Sequence, residues 1–267
     1  MREFYVCTND EVNLFCRTIG EGEPLLMIHG AMVDSDFFLD CASELSKSYM
    51  VILYDRRGYS RSSSAKDYSI ARQANDAVCV LNFLGVEKVN IVSCSAGGYV
   101  ALKISEENAS LVSKLLMYET PLFATKKEKS ASGIIRSIIH DTSVGKLSRA
   151  KCNFLLLSEK QDLNARNMPH EMLQNNWNNG DVFLMHEFEQ YCLLTIEDLR
   201  PLKTDNATVY MMGIGKESDN SYYRRSAKFL ANLIDCPIYE FLGGHNSAYD
   251  HPKEFADATI SIFNSIN

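Results

Sequence analysis

The chain has 267 residues, 46% of them hydrophobic, and a formal net charge of −7. That suits one large α/β domain with an insertion, and it offers no attraction to nucleic acid or an anionic membrane surface. Residues 1–20 lack the basic flank and apolar centre of a signal peptide, and eight scattered cysteines without a CxxC pair suit reduced thiols in a cytoplasmic protein.

Extended apolar runs alternate with helix-like segments, the pattern of a mostly parallel sheet covered on both faces. Residues 4–7 and 12–18 are predicted as an antiparallel hairpin across Asn9-Asp10. Residues 25–28 form a short buried strand running into His29-Gly30, and residues 50–54 a second one ending at Asp55-Arg56-Arg57-Gly58. Over residues 70–84, Ala74, Ala77, Val78, Leu81 and Leu84 recur at helical spacing, and Gly85 ends the helix. Residues 89–92 lead into Ser93-Cys94-Ser95-Ala96-Gly97-Gly98, and residues 115–118 are a strand ending at Glu119-Thr120-Pro121. The stretch 122–203 breaks the alternation. Ile134, Ile135, Ile138 and Ile139 share a helical face, as do Leu184, Phe188 and Tyr191, so a helical cap is expected over the strand ends. This divides the chain into a core of residues 1–121 and 204–267 and a cap of residues 122–203. Residues 208–212 and 238–242 are the last strands, and residues 255–263 a closing amphipathic helix.

The run around Ser95 carries the chemistry. A strand, a tight turn of small residues and a helical run starting at Tyr99 are the context of a nucleophile elbow, which exposes a serine beside a general base. Ser93 stands where the usual G-x-S-x-G pattern has glycine. His29-Gly30, Asp55-Arg56-Arg57-Gly58-Tyr59-Ser60-Arg61-Ser62, the elbow and Gly243-Gly244-His245-Asn246 follow one another in the order and spacing of the α/β-hydrolases. The chain resembles that superfamily over nearly its whole length outside the cap, in the serine-nucleophile, esterase-like branch.

The resemblance implies a twisted, mostly parallel sheet flanked by helices, and an order of nucleophile, acid and then histidine. Ser95 is the expected nucleophile and His245 the base, with the oxyanion hole formed by the backbone N–H groups of Ala96 and Ala31. A serine at the elbow excludes the branches with an aspartate nucleophile, the haloalkane dehalogenases and epoxide hydrolases. His29 and the Asp55-Arg56-Arg57-Gly58 motif are expected to be structural. The acid has two candidates. Glu119 stands at the end of a core strand, and Asp219 follows the penultimate strand in Gly213-Ile214-Gly215-Lys216-Glu217-Ser218-Asp219, one residue beyond the usual turn. Glu119 is favoured.

The expected activity is hydrolysis of an ester or related carbonyl bond in a small to medium, mainly apolar substrate, through an acyl-enzyme and without metal or cofactor. Met32, Trp177 and Phe188 are placed at the substrate pocket. Met168, Met172, Leu173, Phe183, Met185 and Tyr191 supply further apolar surface in the cap. A small-molecule substrate is the expected partner, and the protein a monomer or homodimer. Two other classes fit the same residues: a lyase or cofactor-free oxidative enzyme using Ser95 and His245 as acid and base, and a degenerate hydrolase that only binds ligand.

Overall fold

The computed structural model describes residues 1–122, 129–157, 168–195, 198, 208–218 and 221–266. Arg2–Cys7 (β1) and Asn13–Ile19 (β2) pair as the expected hairpin, and β2 continues antiparallel onto Tyr49–Tyr54 (β4). From there the sheet is parallel through Glu23–Ile28 (β3), Val89–Cys94 (β5), Val112–Tyr118 (β6), Val209–Gly215 (β7) and Ile238–Phe241 (β8). The eight strands lie in the order β1-β2-β4-β3-β5-β6-β7-β8. Because the inner strands are covered on both sides, alternate side chains enter different cores. Leu26 and Ile28 join one cluster, Leu25 and Met27 the other.

The first cluster is closed by Ile70–Phe83 (α2), Gly97–Glu107 (α3) and Tyr222–Ile234 (α8). The second is closed by Leu39–Leu45 (α1) and Pro252–Asn264 (α9), which pack on each other. Two of these helices start on serine caps: Ser69 Oγ accepts the Arg72 amide and Ser221 Oγ the Arg224 amide. No element was expected at α8. Its buried stripe of Tyr222, Tyr223, Ser226, Ala227, Leu230, Ala231 and Ile234 is nonetheless a helical pattern, diluted by small and hydroxyl residues.

Between β6 and β7 the described chain is helical: Lys129–Ser143 (α4), Leu147–Leu157 (α5), His170–Val182 (α6) and Phe188–Leu193 (α7). A π-helical turn, Phe183–Glu187, joins α6 to α7. These helices are tied to the sheet side by polar and aromatic contacts. The Ser60 amide donates to Asn179 Oδ1 (2.9 Å) and Gln190 Nε2 to the Tyr68 carbonyl (3.2 Å). Tyr191 stacks on Tyr99 at 4.8 Å between centroids. All eight cysteines are free thiols. No helix among the described residues is long and apolar enough to cross a membrane.

Candidate active site

Parallel strands end on one side of the sheet, so residues just past β5, β6 and β8 meet there. Ser95 follows β5 with φ +51°, and its amide donates to the Tyr118 carbonyl at 2.8 Å. The helix that follows starts hard against β3. A Cβ on Gly97 would come within 2.6 Å of the Ile28 and His29 carbonyl oxygens, which is why that position carries glycine. Ser93 is fully buried, and its Oγ has no hydrogen-bond partner among the described residues.

Glu119 follows β6, also with positive φ (+45°), and is fully buried. Its carboxylate is satisfied on both oxygens. Oε1 accepts the Gly215 amide at 2.9 Å, and Oε2 lies 2.8 Å from His245 Nδ1. Placing the His245 proton on Nδ1 leaves the lone pair on Nε2, the tautomer a general base requires. Met32, after β3, is a third non-glycine residue with positive φ (+64°). Among the described residues six such positions occur, and Met32, Ser95 and Glu119 surround this one cavity or its histidine. Strained backbone concentrates where geometry is over-determined by its surroundings.

The end of β7 differs from the expected acid turn. Strand pairing runs on through Gly213–Gly215, where the Gly213 carbonyl accepts the Glu119 amide at 3.0 Å and the Gly215 amide holds its side chain. A Cβ on Gly213 would strike the rings of Tyr118 and Phe241 within 2.9 Å, so this glycine serves close packing. Asp219, the other candidate acid, lies outside the described residues.

The His29 ring is fully buried. Nε2 accepts the Arg56 amide (2.9 Å), Nδ1 donates to the Gly30 carbonyl (3.0 Å), and burial holds the group well below the ordinary imidazole range. Arg57 pairs with Asp76 through two 2.6 Å contacts, and Asp55 accepts from Ser35 and Arg61, which organises the loop internally. Arg56 reaches further. It donates to the Gly30 carbonyl (3.0 Å) and to Glu187 Oε2 (2.8 Å) in the π-helical turn, with both side chains buried.

Ser95 and His245 line one cavity of about 420 Å³. Gly30, Ala31, Met32, Val33 and Phe37 form the wall on the β3 side. Phe154, Leu155 and Leu156 of α5, with Met168, Leu173 and Trp177, face them from the helical segment. Among the described lining residues, Asn176, Asn246 and Tyr223 add polar side chains to Ser95 and His245. Trp177 is braced from behind: buried Lys151 donates to its carbonyl (3.0 Å), pairs with Asp181 (2.8 Å) and lies 4.3 Å over its ring. Among the described residues neither the Ala31 nor the Ala96 amide donates to a protein acceptor.

A family model described as the alpha/beta hydrolase fold matches residues 23–132. The esterase EaEST from Exiguobacterium antarcticum superposes with a TM-score of 0.78 at 22% identity, covering 98% of this chain and 100% of that one. The chain has the α/β-hydrolase fold. A thermophilic esterase from Thermogutta terrifontis is likewise similar, with a TM-score of 0.77 at 18% identity over 99% of both chains. Among curated proteins, the uncharacterized hydrolase YraK of Bacillus subtilis is 23% identical over 250 residues, 92% of this chain and 90% of its own.

Within this α/β-hydrolase fold, Ser95, His245, Ala31, Met32 and Trp177 meet at the cavity, and the Glu119 carboxylate contacts His245 Nδ1. Phe188, expected at the pocket, is not a lining residue. It is buried in the aromatic centre of the helical segment, 5.8 Å from the Phe154 ring and 5.7 Å from Phe183. Phe183 and Tyr191 pack there too, whereas Met185 is exposed. Phe37, Phe154, Asn176 and Tyr223 also line the cavity, and no local pattern of residues marks them, because their places depend on how helices and loops turn over the sheet.

Proposed function

We propose that this protein is a serine hydrolase that cleaves an ester or related carbonyl bond in a small to medium, neutral and mainly apolar substrate. The observation that carries the reading is the 2.8 Å contact between buried Glu119 and His245 Nδ1, with His245 and Ser95 on the same cavity. The esterase and hydrolase names of its structural neighbours and curated relative support the same class.

In this reading Ser95 attacks the carbonyl carbon while His245 Nε2 takes the hydroxyl proton. Glu119 keeps the proton on Nδ1 and stabilises the imidazolium that forms. The Ala31 and Ala96 amides, the latter at the start of α3, receive the developing oxyanion. His245 then returns the proton to the leaving alcohol, and water releases the acyl group by the reverse route. The segment 122–203 acts as a cap whose apolar wall selects substrate. Among the described residues, no charged side chain other than a protonated His245 lines the cavity, which favours neutral esters over acids or amines.

The test is turnover of p-nitrophenyl butyrate together with labelling by a fluorophosphonate. Wild-type protein is expected to do both, and a folded Ser95→Ala variant neither. Undiminished turnover in Ser95→Ala would falsify the nucleophile assignment. A protein that binds the ester without turnover or labelling would instead be the degenerate binding module.

A further inference from the structure

The His245 ring has a neighbour that the catalytic reading does not use. Tyr223 lies parallel to it, with ring centroids 3.9 Å apart and an interplanar angle of 18°, and is 2% exposed. We propose that Tyr223 is a positioning residue that fixes the plane of His245 and stabilises its protonated form, an assignment that rests on the serine-hydrolase reading above.

The geometry of the two supports differs. The contact with Glu119 fixes one ring atom of His245 and leaves the ring able to tip about that hydrogen bond. A second ring lying flat against one face removes that freedom, which matters because His245 rides on a loop with two glycines. Tyr223 is itself well anchored. It is the second residue of α8, whose start is held by the Ser221 cap and by the Tyr222 hydroxyl donating to the Leu122 carbonyl (2.8 Å). The chemistry also favours an aromatic at this place. An aromatic face carries negative quadrupole density, so it prefers imidazolium to imidazole, and that preference is exerted when His245 has taken the serine proton.

Several described groups surround His245. The Glu119 carboxylate comes from the end of β6, and the Tyr118 hydroxyl donates to the Gly244 carbonyl at 2.5 Å. Cys94 and Ser95 line the same cavity. The Glu217 amide donates to the Gly243 carbonyl, and the His251 ring lies close to Gly243. The Arg224 guanidinium is engaged by Glu240 (2.7 Å) and the Gly215 carbonyl. Glu119 supplies the charge partner, and Tyr223 the face.

The experiment compares wild-type protein with Tyr223→Phe, which keeps the ring face, and Tyr223→Met, which fills similar volume without one. Tyr223→Leu serves as a second ring-free variant, and thermal melting confirms that each is folded. The ring-free variants are expected to lose kcat on the order of tenfold or more with little change in KM, and Tyr223→Phe to keep most of it. The acid limb of kcat/KM, and the pKa of His245 followed by NMR, should both move down by about half a unit or more in the ring-free variants. The NMR titration needs no turnover. A protein without esterase activity would therefore sink the hydrolase reading while the effect of the ring on His245 stayed measurable. Folded ring-free variants with wild-type kcat and an unmoved His245 titration overturn the proposal. Equal losses in Tyr223→Phe and Tyr223→Met overturn it too, by assigning the effect to the hydroxyl.

Discussion

At the scale of single residues, the site depends on side chains that are costly to place. Ser95 and Glu119 both adopt left-handed backbone, each at a strain on the order of 1–3 kcal/mol that the surrounding pairing must hold. Glu119 is also a fully buried carboxylate, tolerated because the Gly215 amide and His245 satisfy its oxygens. Glu119→Gln keeps the shape, and its amide can present an N–H toward Nδ1, which disfavours the productive tautomer. Loss of kcat on the order of a thousandfold or more is expected in a steady-state assay, with the fold retained. Near-normal turnover would move the role of acid to Asp219 or leave a Ser–His pair. Sequence order picked out the serine, histidine and carboxylate. It left two acids open, because a loop's path decides which carboxylate reaches the ring.

At the scale of elements, the loop after β4 meets the inserted helices through a buried ion pair as well as through apolar and ring contacts. Arg56 and Glu187 are both inaccessible, and Arg56 also holds the carbonyl of Gly30, next to the Ala31 amide. Glu187 reaches it from a π-helical turn, which rotates the residues after α6 relative to a regular helix. Tyr191 adds a hydrogen bond to the same carboxylate at 3.1 Å. Removing one partner leaves a buried charge without its counterion, so Glu187→Leu is expected to lower stability by about 3–5 kcal/mol in urea unfolding. A loss below about 1 kcal/mol would show that the pair is not what holds these helices. The helical periodicity of this segment was legible in sequence. Its rotation was not, so Phe188 was expected at the cavity and lies in the aromatic centre instead.

For the whole molecule, the sheet ends and the inserted helices enclose an apolar space whose size should set substrate length. Burying each further methylene is worth about 0.8 kcal/mol, roughly fourfold in kcat/KM, until the wall is met. Wild-type protein should therefore prefer butanoyl to acetyl esters, and Trp177→Ala, by opening the braced wall, should shift the optimum to longer acyl chains. An acyl-length series of p-nitrophenyl esters checks both, and an unchanged optimum in the variant would remove Trp177 from the selecting wall. The sequence by itself determined the α/β alternation, the strand–turn–helix at Ser95 and the order of the motifs, because these follow from short-range rules: period-two burial, helical spacing and small residues at tight turns. Tertiary structure alone decided the contact between Glu119 and His245, which spans 126 positions, the stacking of Tyr223 on that histidine, and which aromatic side chains face the cavity. Those depend on where separate strands end and how helices rotate over them, and no local pattern of residues encodes that.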